Sequence, residues 1–169
     1  RRAVVLDAAV ARFAQVGRDQ ATVDEIAAAC GVRKPSIYAL FGTKDDLFRA
    51  SVEHEVRVLS DFLRVVNAET AELPLSERTR RRVDAALANA EANPHGFQLL
   101  ARARTSWPED DAEAGRELQD RLVAVMADNY RRESRAAGTP IDAAAELLAR
   151  LTFSMADQAI AMRAADDSW

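Results

Sequence analysis

Ala27, Gly31 and Ile37 stand among short apolar-periodic segments, and their spacing constrains the fold more than any other feature of the chain. A small side chain at 27 lets two helices approach. Glycine at 31 supplies the positive φ that a tight turn between them needs. An apolar residue at 37 pins the second helix onto the first from inside. Together they predict a helix-turn-helix. Its second helix keeps its outer face and N-terminal end free for a major groove.

The flanking sequence fits that reading. Leu6, Val10, Phe13 and Val16 recur at helical spacing over residues 3–16, and Gly17 ends the stripe. Thr22 and Glu25 form a capping box for the next helix, with Val23, Ile26, Ala27 and Cys30 facing inward. A third helix is expected from about Arg33 to Leu40, with Ile37 and Leu40 inward. Gly42 breaks the chain, and Thr43 with Asp45 and Asp46 opens a fourth helix to about Val66. Its expected buried side is Leu47, Val52, Val56, Leu59 and Leu63.

The remainder repeats the construction. Pro74, Leu75 and Ser76 open a helix to about Ala92, and Asn93 with Pro94 opens a shorter one through Leu99 and Leu100. Pro108, followed by Glu109, Asp110 and Asp111, opens a helix to about Ala137, closed by Gly138. Thr139, Pro140 and Asp142 open the last, to about Ala164. The expected fold is therefore all-α, with about eight helices. No alternating β-branched run suggests a strand. The composition agrees, since alanine supplies much of the 49% hydrophobic fraction and only five prolines and six glycines interrupt.

The formal net charge is −4, and every cation but two is arginine. The two lysines, Lys34 and Lys44, bracket the proposed groove-facing helix, so positive charge gathers there while the total stays acidic. Arg33, Lys34, Ser36, Tyr38 and Ala39 fall on its free face. They include the cations, hydroxyl and phenol that contact phosphates and base edges. Arg33 suits guanine in a bidentate fashion, and Lys34 suits phosphate. Lys44 lies in the first turn of the fourth helix, where free N–H groups also favour a phosphate.

The run TVDEIAAACGVRKPSIYALFGTKDDLF, residues 22–48, resembles the DNA-binding region of the tetracycline-repressor (TetR) family of transcriptional regulators. Thr22, Ile26, Ala27, Gly31, Val32, Ile37, Tyr38, Phe41, Lys44, Leu47 and Phe48 stand where that family's pattern has its characteristic residues. The resemblance covers about the first 50 residues and implies a homodimeric repressor or activator. It implies a DNA-binding head in residues 1–48 and a helical ligand-binding and dimerisation domain in residues 49–169. The implied partners are a pseudo-palindromic duplex operator and a small hydrophobic effector, with no cofactor. The implied DNA contacts are Thr22, Tyr38 and Lys44 to phosphate, with Arg33, Lys34, Pro35, Ser36 and Ala39 near bases or backbone. Two positions depart from the family. Arg33 replaces a frequent serine cap, and Ala39 replaces a frequent histidine or asparagine. Family members usually have a ninth helix that helps form the dimer interface, whereas this chain stops at Trp169 soon after the eighth, so either that helix is missing here or dimerisation relies on helix eight and its neighbours.

Phe62, Val66, Phe97, Leu100, Trp107, Met126, Tyr130 and Phe153 are the large groups read as candidate pocket lining. The competing reading is ordinary core. Trp107 and Tyr130 each bring a polar tip to an apolar wall. Arg78, Arg80, Arg81 and Arg82 read as a solvated helix face, with a second phosphate contact as the other option. Cys30 reads as packed within the head, and a lone cysteine excludes an intramolecular disulfide. His54 and His95 give no metal-ligand pattern with it. No phosphate loop or nucleophile elbow is present, so an enzyme is not expected. No run of about 18 apolar residues is present, so no membrane span is expected. A cytoplasmic protein is expected, with further residues upstream because the chain opens inside a helical pattern without an initiator methionine. The rival function is a helical ligand-binding or protein-interaction module whose head does not bind DNA.

Overall fold

The computed structural model describes residues 1–105, 107 and 112–154. Its helices are α1 (Arg2–Gln20), α2 (Val23–Cys30), α3 (Lys34–Phe41), α4 (Lys44–Thr70), α5 (Leu75–Ala92), α6 (Pro94–Thr105) and α7 (Ala112–Ala136). Residues 145–154 form an eighth, α8, and no strand occurs among the described residues. Two compact units divide the chain, Arg1–Ser106 and Trp107–Trp169.

In the first unit, α1 is the central element and packs on α2, α4 and α6. Its inner face buries Val5, Leu6, Ala9, Val10, Phe13 and Ala14. Phe13 meets Phe48 of α4 edge to face, with ring centroids 5.1 Å apart. That geometry places the positive ring edge on the negative face. Full burial of a side chain this large contributes about 1.5–3 kcal/mol. Gly17 interrupts α1 at φ 81°, so the final turn to Gln20 leaves at an angle. The helix thus outlasts the stripe ending at Val16.

Three hinge points then shape the head. Gly31 caps α2 in the left-handed region, φ 65°, and the Val32 N–H donates to the Ala27 carbonyl at 3.0 Å. This closes the turn as the 27–31–37 spacing requires, with Ala27 and Ile37 both buried. Thr22 and Thr43 each begin a helix with a complete capping box. The Glu25 N–H donates to Thr22 Oγ1 at 3.3 Å, and the Thr22 N–H donates to Glu25 Oε2 at 3.1 Å. The Thr43–Asp46 box has the matching pair at 3.1 and 2.9 Å.

Leu40 departs from expectation. It is exposed, while Phe41 is half-buried beneath Arg2, whose guanidinium lies 4.3 Å from the ring centroid. Arg2 also donates to the Leu40 carbonyl at 2.9 Å. A two-turn helix has room for one inward anchor, and Ile37 is it.

α4 continues to Thr70, one turn beyond Val66, because Thr70 is itself buried and its hydroxyl donates to the Val66 carbonyl at 2.7 Å. Its apolar side holds one charge. Glu55 is 6% exposed and lies where α4 meets α6. The Asn93 side-chain amide donates to Glu55 Oε2 at 2.8 Å, and its carbonyl accepts the Gly96 N–H at 3.1 Å. Asn93 therefore caps α6 and ties it to α4 at once. A Cβ at Gly96 would overlap the Glu55 carboxylate and the Asn93 amide, so any larger residue must displace them.

In the second unit, Val123 and Ala127 of α7 bury against Ala145 and Ala149 of α8, with Met126, Tyr130 and Phe153 packed around them. Tyr130 and Thr152 share a hydroxyl hydrogen bond of 2.7 Å. Asp142 does not open α8. It pairs with Arg135 at 2.8 Å, and residues 142–144 form a turn before the helix. Residues 108–111, the expected start of α7, and 155–164, the expected end of α8, lie outside the described residues.

Candidate nucleic-acid interface

α3 presents the outer surface that the 27–31–37 spacing implies. Ile37 points inward at 1% exposure, while Tyr38, next along the helix, is 43% exposed. Arg33, Pro35 and Ala39 are exposed, and Lys34 and Ser36 are half-buried. Arg33 is the N-cap residue and makes no side-chain cap bond. Proline in the first turn compensates in part, since its missing N–H needs no partner. Among the described residues Arg33 has no hydrogen-bond or ion-pair partner, so its guanidinium is available to a ligand.

Thr22 lies exposed at the start of α2. Its hydroxyl donates to Glu25 Oε2 at 2.8 Å, and Arg12 of α1 forms an ion pair with the same carboxylate. Hydrogen bonds from Thr22 and then from Arg12 hold the Glu25 carboxyl below its ordinary range. The Thr22 backbone position is thereby fixed by two neighbouring helices.

The two lysines that drew attention in the sequence are both engaged. Lys34 Nζ lies 2.7 Å from Asp24 of α2, and that bond raises its pKa above the ordinary lysine value. Lys44 Nζ donates to the carbonyls of Arg18, Asp19 and Ala21, at 3.0, 3.4 and 3.3 Å. It neutralises the negative end of α1, where last-turn carbonyls lack helical partners. A phosphate contact by Lys44 exchanges these carbonyls for phosphate oxygens. Arg18 pairs with Asp45 at 2.9 Å beside it, and this holds the Asp45 carboxyl low. The structure thus gathers Thr22, Arg33, Lys34, Pro35, Ser36, Tyr38 and Ala39 on α3 and the start of α2, and turns Lys44 toward the end of α1.

Sequence reasoning missed Asp24, Arg12 and Glu55. Glu55 carried a signal: it lies three residues after Val52 and four before Leu59, within the apolar stripe of α4. Asp24 and Arg12 carried none, because their partners come from other helices.

The eight pocket candidates divide between the units. Val66 and Leu100 belong to the buried core of the first, Phe62 is half-buried and Phe97 is 41% exposed. Met126, Tyr130 and Phe153 surround the α7–α8 core, and Trp107 lies against Gly115. Neither a groove of about 390 Å³ between α1 and α2 nor one of about 230 Å³ between α7 and α8 includes any of them. Among the described residues no group of three or more His, Cys, Asp or Glu could hold a metal ion, and no helix is long and apolar enough to cross a membrane.

Residues 5–51 match the family described as bacterial regulatory proteins, tetR family. One similar protein is the biofilm operon icaADBC HTH-type negative transcriptional regulator IcaR of Staphylococcus epidermidis, 32% identical over 59 residues, which are 35% of this chain and 32% of that one. The chain thus spans about a third of the length of this curated relative. A TetR-like transcriptional regulator from Rhodococcus sp. RHA1 superposes with a TM-score of 0.62 at 27% identity, over 95% of this chain and 81% of that one. The transcriptional regulator FadR from Bacillus subtilis, crystallised in complex with stearoyl-CoA, gives a TM-score of 0.77 at 14% identity, over 99% and 89%. The latter likeness concerns the fold.

Proposed function

We propose, from the premise that this chain belongs to the TetR family of bacterial regulatory proteins by its residues 5–51, that it is a dimeric repressor released from its operator by an apolar small molecule. The observation that carries the DNA-binding part is the α3 surface, with Ile37 buried beneath it and Arg33 and Tyr38 facing out. In this reading Arg33 and Tyr38 meet the duplex first, with Thr22, Lys34, Pro35, Ser36 and Ala39 beside them and Lys44 at the edge. Two copies place their recognition helices about 34 Å apart, in successive major grooves. Leu147, Leu148 and Leu151, all exposed on α8, support a helix-on-helix interface between copies. The negative regulator among the similar proteins supports repression.

Support for an apolar effector comes from α4 to α6. Val58 and Val65 of α4, Val83 and Leu87 of α5, and Phe97 of α6 are large and exposed. None of the described side chains of α5 is buried. Such a helix gains stability when something apolar covers it. The stearoyl-CoA complex of a protein with this fold makes long acyl chains the first compounds to try. Residues 1–48 then read DNA and residues 49–169 bind the effector and the second copy. Occupancy shifts α4, which begins in the head, and alters the separation of the two heads. Affinity falls because both half-sites are no longer engaged together.

The test is fluorescence anisotropy with the duplex upstream of the protein's own coding sequence. Affinity should fall steeply with salt, since phosphate contacts release counterions. Stearoyl-CoA should then release the duplex. A flat salt response, or no binding, would end the regulator reading.

One observation favours the rival module with a silent head. Lys34 is paired to an acid. The same titration separates the two readings, because a silent head gives no salt-dependent affinity at any protein concentration.

A further inference from the structure

Asp24 sits in the first turn of α2, on the surface that carries Thr22 and Arg33. Its carboxylate lies 2.7 Å from Lys34 Nζ, and both side chains remain open to solvent, 69% and 43%. No other hydrogen bond of Lys34 occurs among the described residues. An exposed pair of this kind contributes little to folding, because water already solvates both charges. Its consequence lies elsewhere. It determines where the lysine charge is spent.

We propose that Asp24 is a specificity-determining residue, which holds Lys34 back from the phosphates of non-cognate DNA. The inference rests on the regulator reading above. Non-specific complexes are held almost wholly by cations against phosphates. In such a complex Lys34 must leave Asp24, or bring that carboxylate close to a phosphate. Either route costs electrostatic free energy. In the cognate complex, Arg33 and the other groups of α3 engage base edges, so binding does not require Lys34 to leave Asp24 and most of that cost is not incurred. The same acidic side chain therefore weakens random complexes more than the cognate one. The design agrees with the rest of the chain, which is acidic overall, so that stray duplex gains little from contact.

The experiment measures affinity of the full chain for a random 30-base-pair duplex and for a duplex selected by the protein from a random pool. The variants are Asp24→Asn, Lys34→Ala and the double variant. Asp61→Asn on α4, whose partner Arg64 lies far along the helix from the head, removes the same net charge elsewhere. Asp24→Asn should tighten random-duplex binding about three- to tenfold and steepen the slope of log K against log salt by about one. The gain on the selected duplex should be smaller. Both gains should vanish when Lys34 is alanine, and Asp61→Asn should produce neither. Unchanged or weaker random-duplex binding by Asp24→Asn would overturn the proposal and make Asp24 a simple support for Lys34. A gain that survives Lys34→Ala, or one that Asp61→Asn reproduces, would overturn it as well. Absence of salt-dependent binding in every variant would remove the regulator reading and this inference together, whereas normal binding without the gain removes this inference alone.

Discussion

In residues 1–48 the main inner positions, and the starts of α2 and α4, are committed within the chain. Thr22 and Thr43 close capping boxes, Gly31 supplies a left-handed cap, and Ile37, Leu47 and Phe48 are buried. α5, part of the same compact unit, is built the opposite way. Pro74 precedes it without a side-chain cap bond, none of its described side chains is buried, and Val83 and Leu87 stand exposed. A groove reader must hold several side chains within a fraction of an ångström, and that demands over-determined backbone. A surface that answers to an effector must keep some apolar area uncovered until the effector arrives. The contrast ties the two halves of the proposed function to two kinds of packing.

The sharpest way to break this contrast is to truncate one apolar residue in each region. Ile37→Ala should lower the free energy of unfolding by about 2–5 kcal/mol, the range for emptying a full core site. It should also abolish DNA binding, because α3 loses its anchor. Leu87→Ala on α5 should stay within about 0.5 kcal/mol, since little area is lost from a side chain already in water. Urea denaturation reads both. Equal losses would mean that α5 is an ordinary structural helix and the contrast is void.

Between these extremes lies the α4–α6 joint. Gly96→Ala forces a methyl group into the space of the Glu55 carboxylate and should cost about 1–3 kcal/mol, the usual range for overpacking. The strain falls on α4 where it leaves the head, so effector release should change more than bare DNA affinity. A thermal melt together with an effector titration on the selected duplex checks both. A silent Gly96→Ala would show that the joint yields freely and belongs with α5 rather than with the head.

Capping gives a smaller effect. Thr43→Ala removes the side-chain oxygen that accepts from the Asp46 N–H and should cost about 1 kcal/mol. Restoration by Thr43→Ser, which keeps the oxygen, distinguishes the cap from simple loss of contact. The same substitution at an α5 end has no counterpart, because Pro74 makes no such bond.

The parts of the head that could be read in advance are the ones written within a few residues of each other. The Thr22–Glu25 and Thr43–Asp46 boxes and the Ala27–Gly31 turn are local, so spacing alone reveals them. Ile37 was legible because its period fits a buried helix face. Leu40 was misread for the same reason, since periodicity does not say that a two-turn helix ends before its second apolar position is covered. The engagement of Lys44 with the end of α1, of Lys34 with Asp24, and of Glu55 with Asn93 depends on which helices meet. Those pairings lie 23 to 26, 10 and 38 residues apart. The pocket candidates faced a further limit. Size and polarity mark Val66 and Phe97 alike, and only tertiary placement buries one and exposes the other.

The smallest expected effect is a pH dependence confined to the head. Hydrogen bonds from Thr22 to Glu25, from Arg18 to Asp45 and from Thr43 to Asp46 each hold a carboxyl below its ordinary value. A carboxyl depressed in the folded state binds its proton more readily when unfolded. Its contribution is therefore complete above the unfolded carboxylate value, about 4, and is lost as pH falls through the lower folded values. The melting temperature should thus drop as pH falls below about 4. In the double variant Glu25→Gln, Asp46→Asn the drop should be shallower, because two of the three groups no longer titrate. Salt then separates the causes. The Asp45–Arg18 pair is a part-buried, hydrogen-bonded ion pair whose Coulomb share about 0.5 M salt screens, whereas the capping carboxylates accept backbone N–H groups at bonding distance and are screened less. A pH slope unchanged in the double variant would assign the acid sensitivity to carboxylates outside the head, and the claim that its helix ends are the more firmly fixed would lose its electrostatic support.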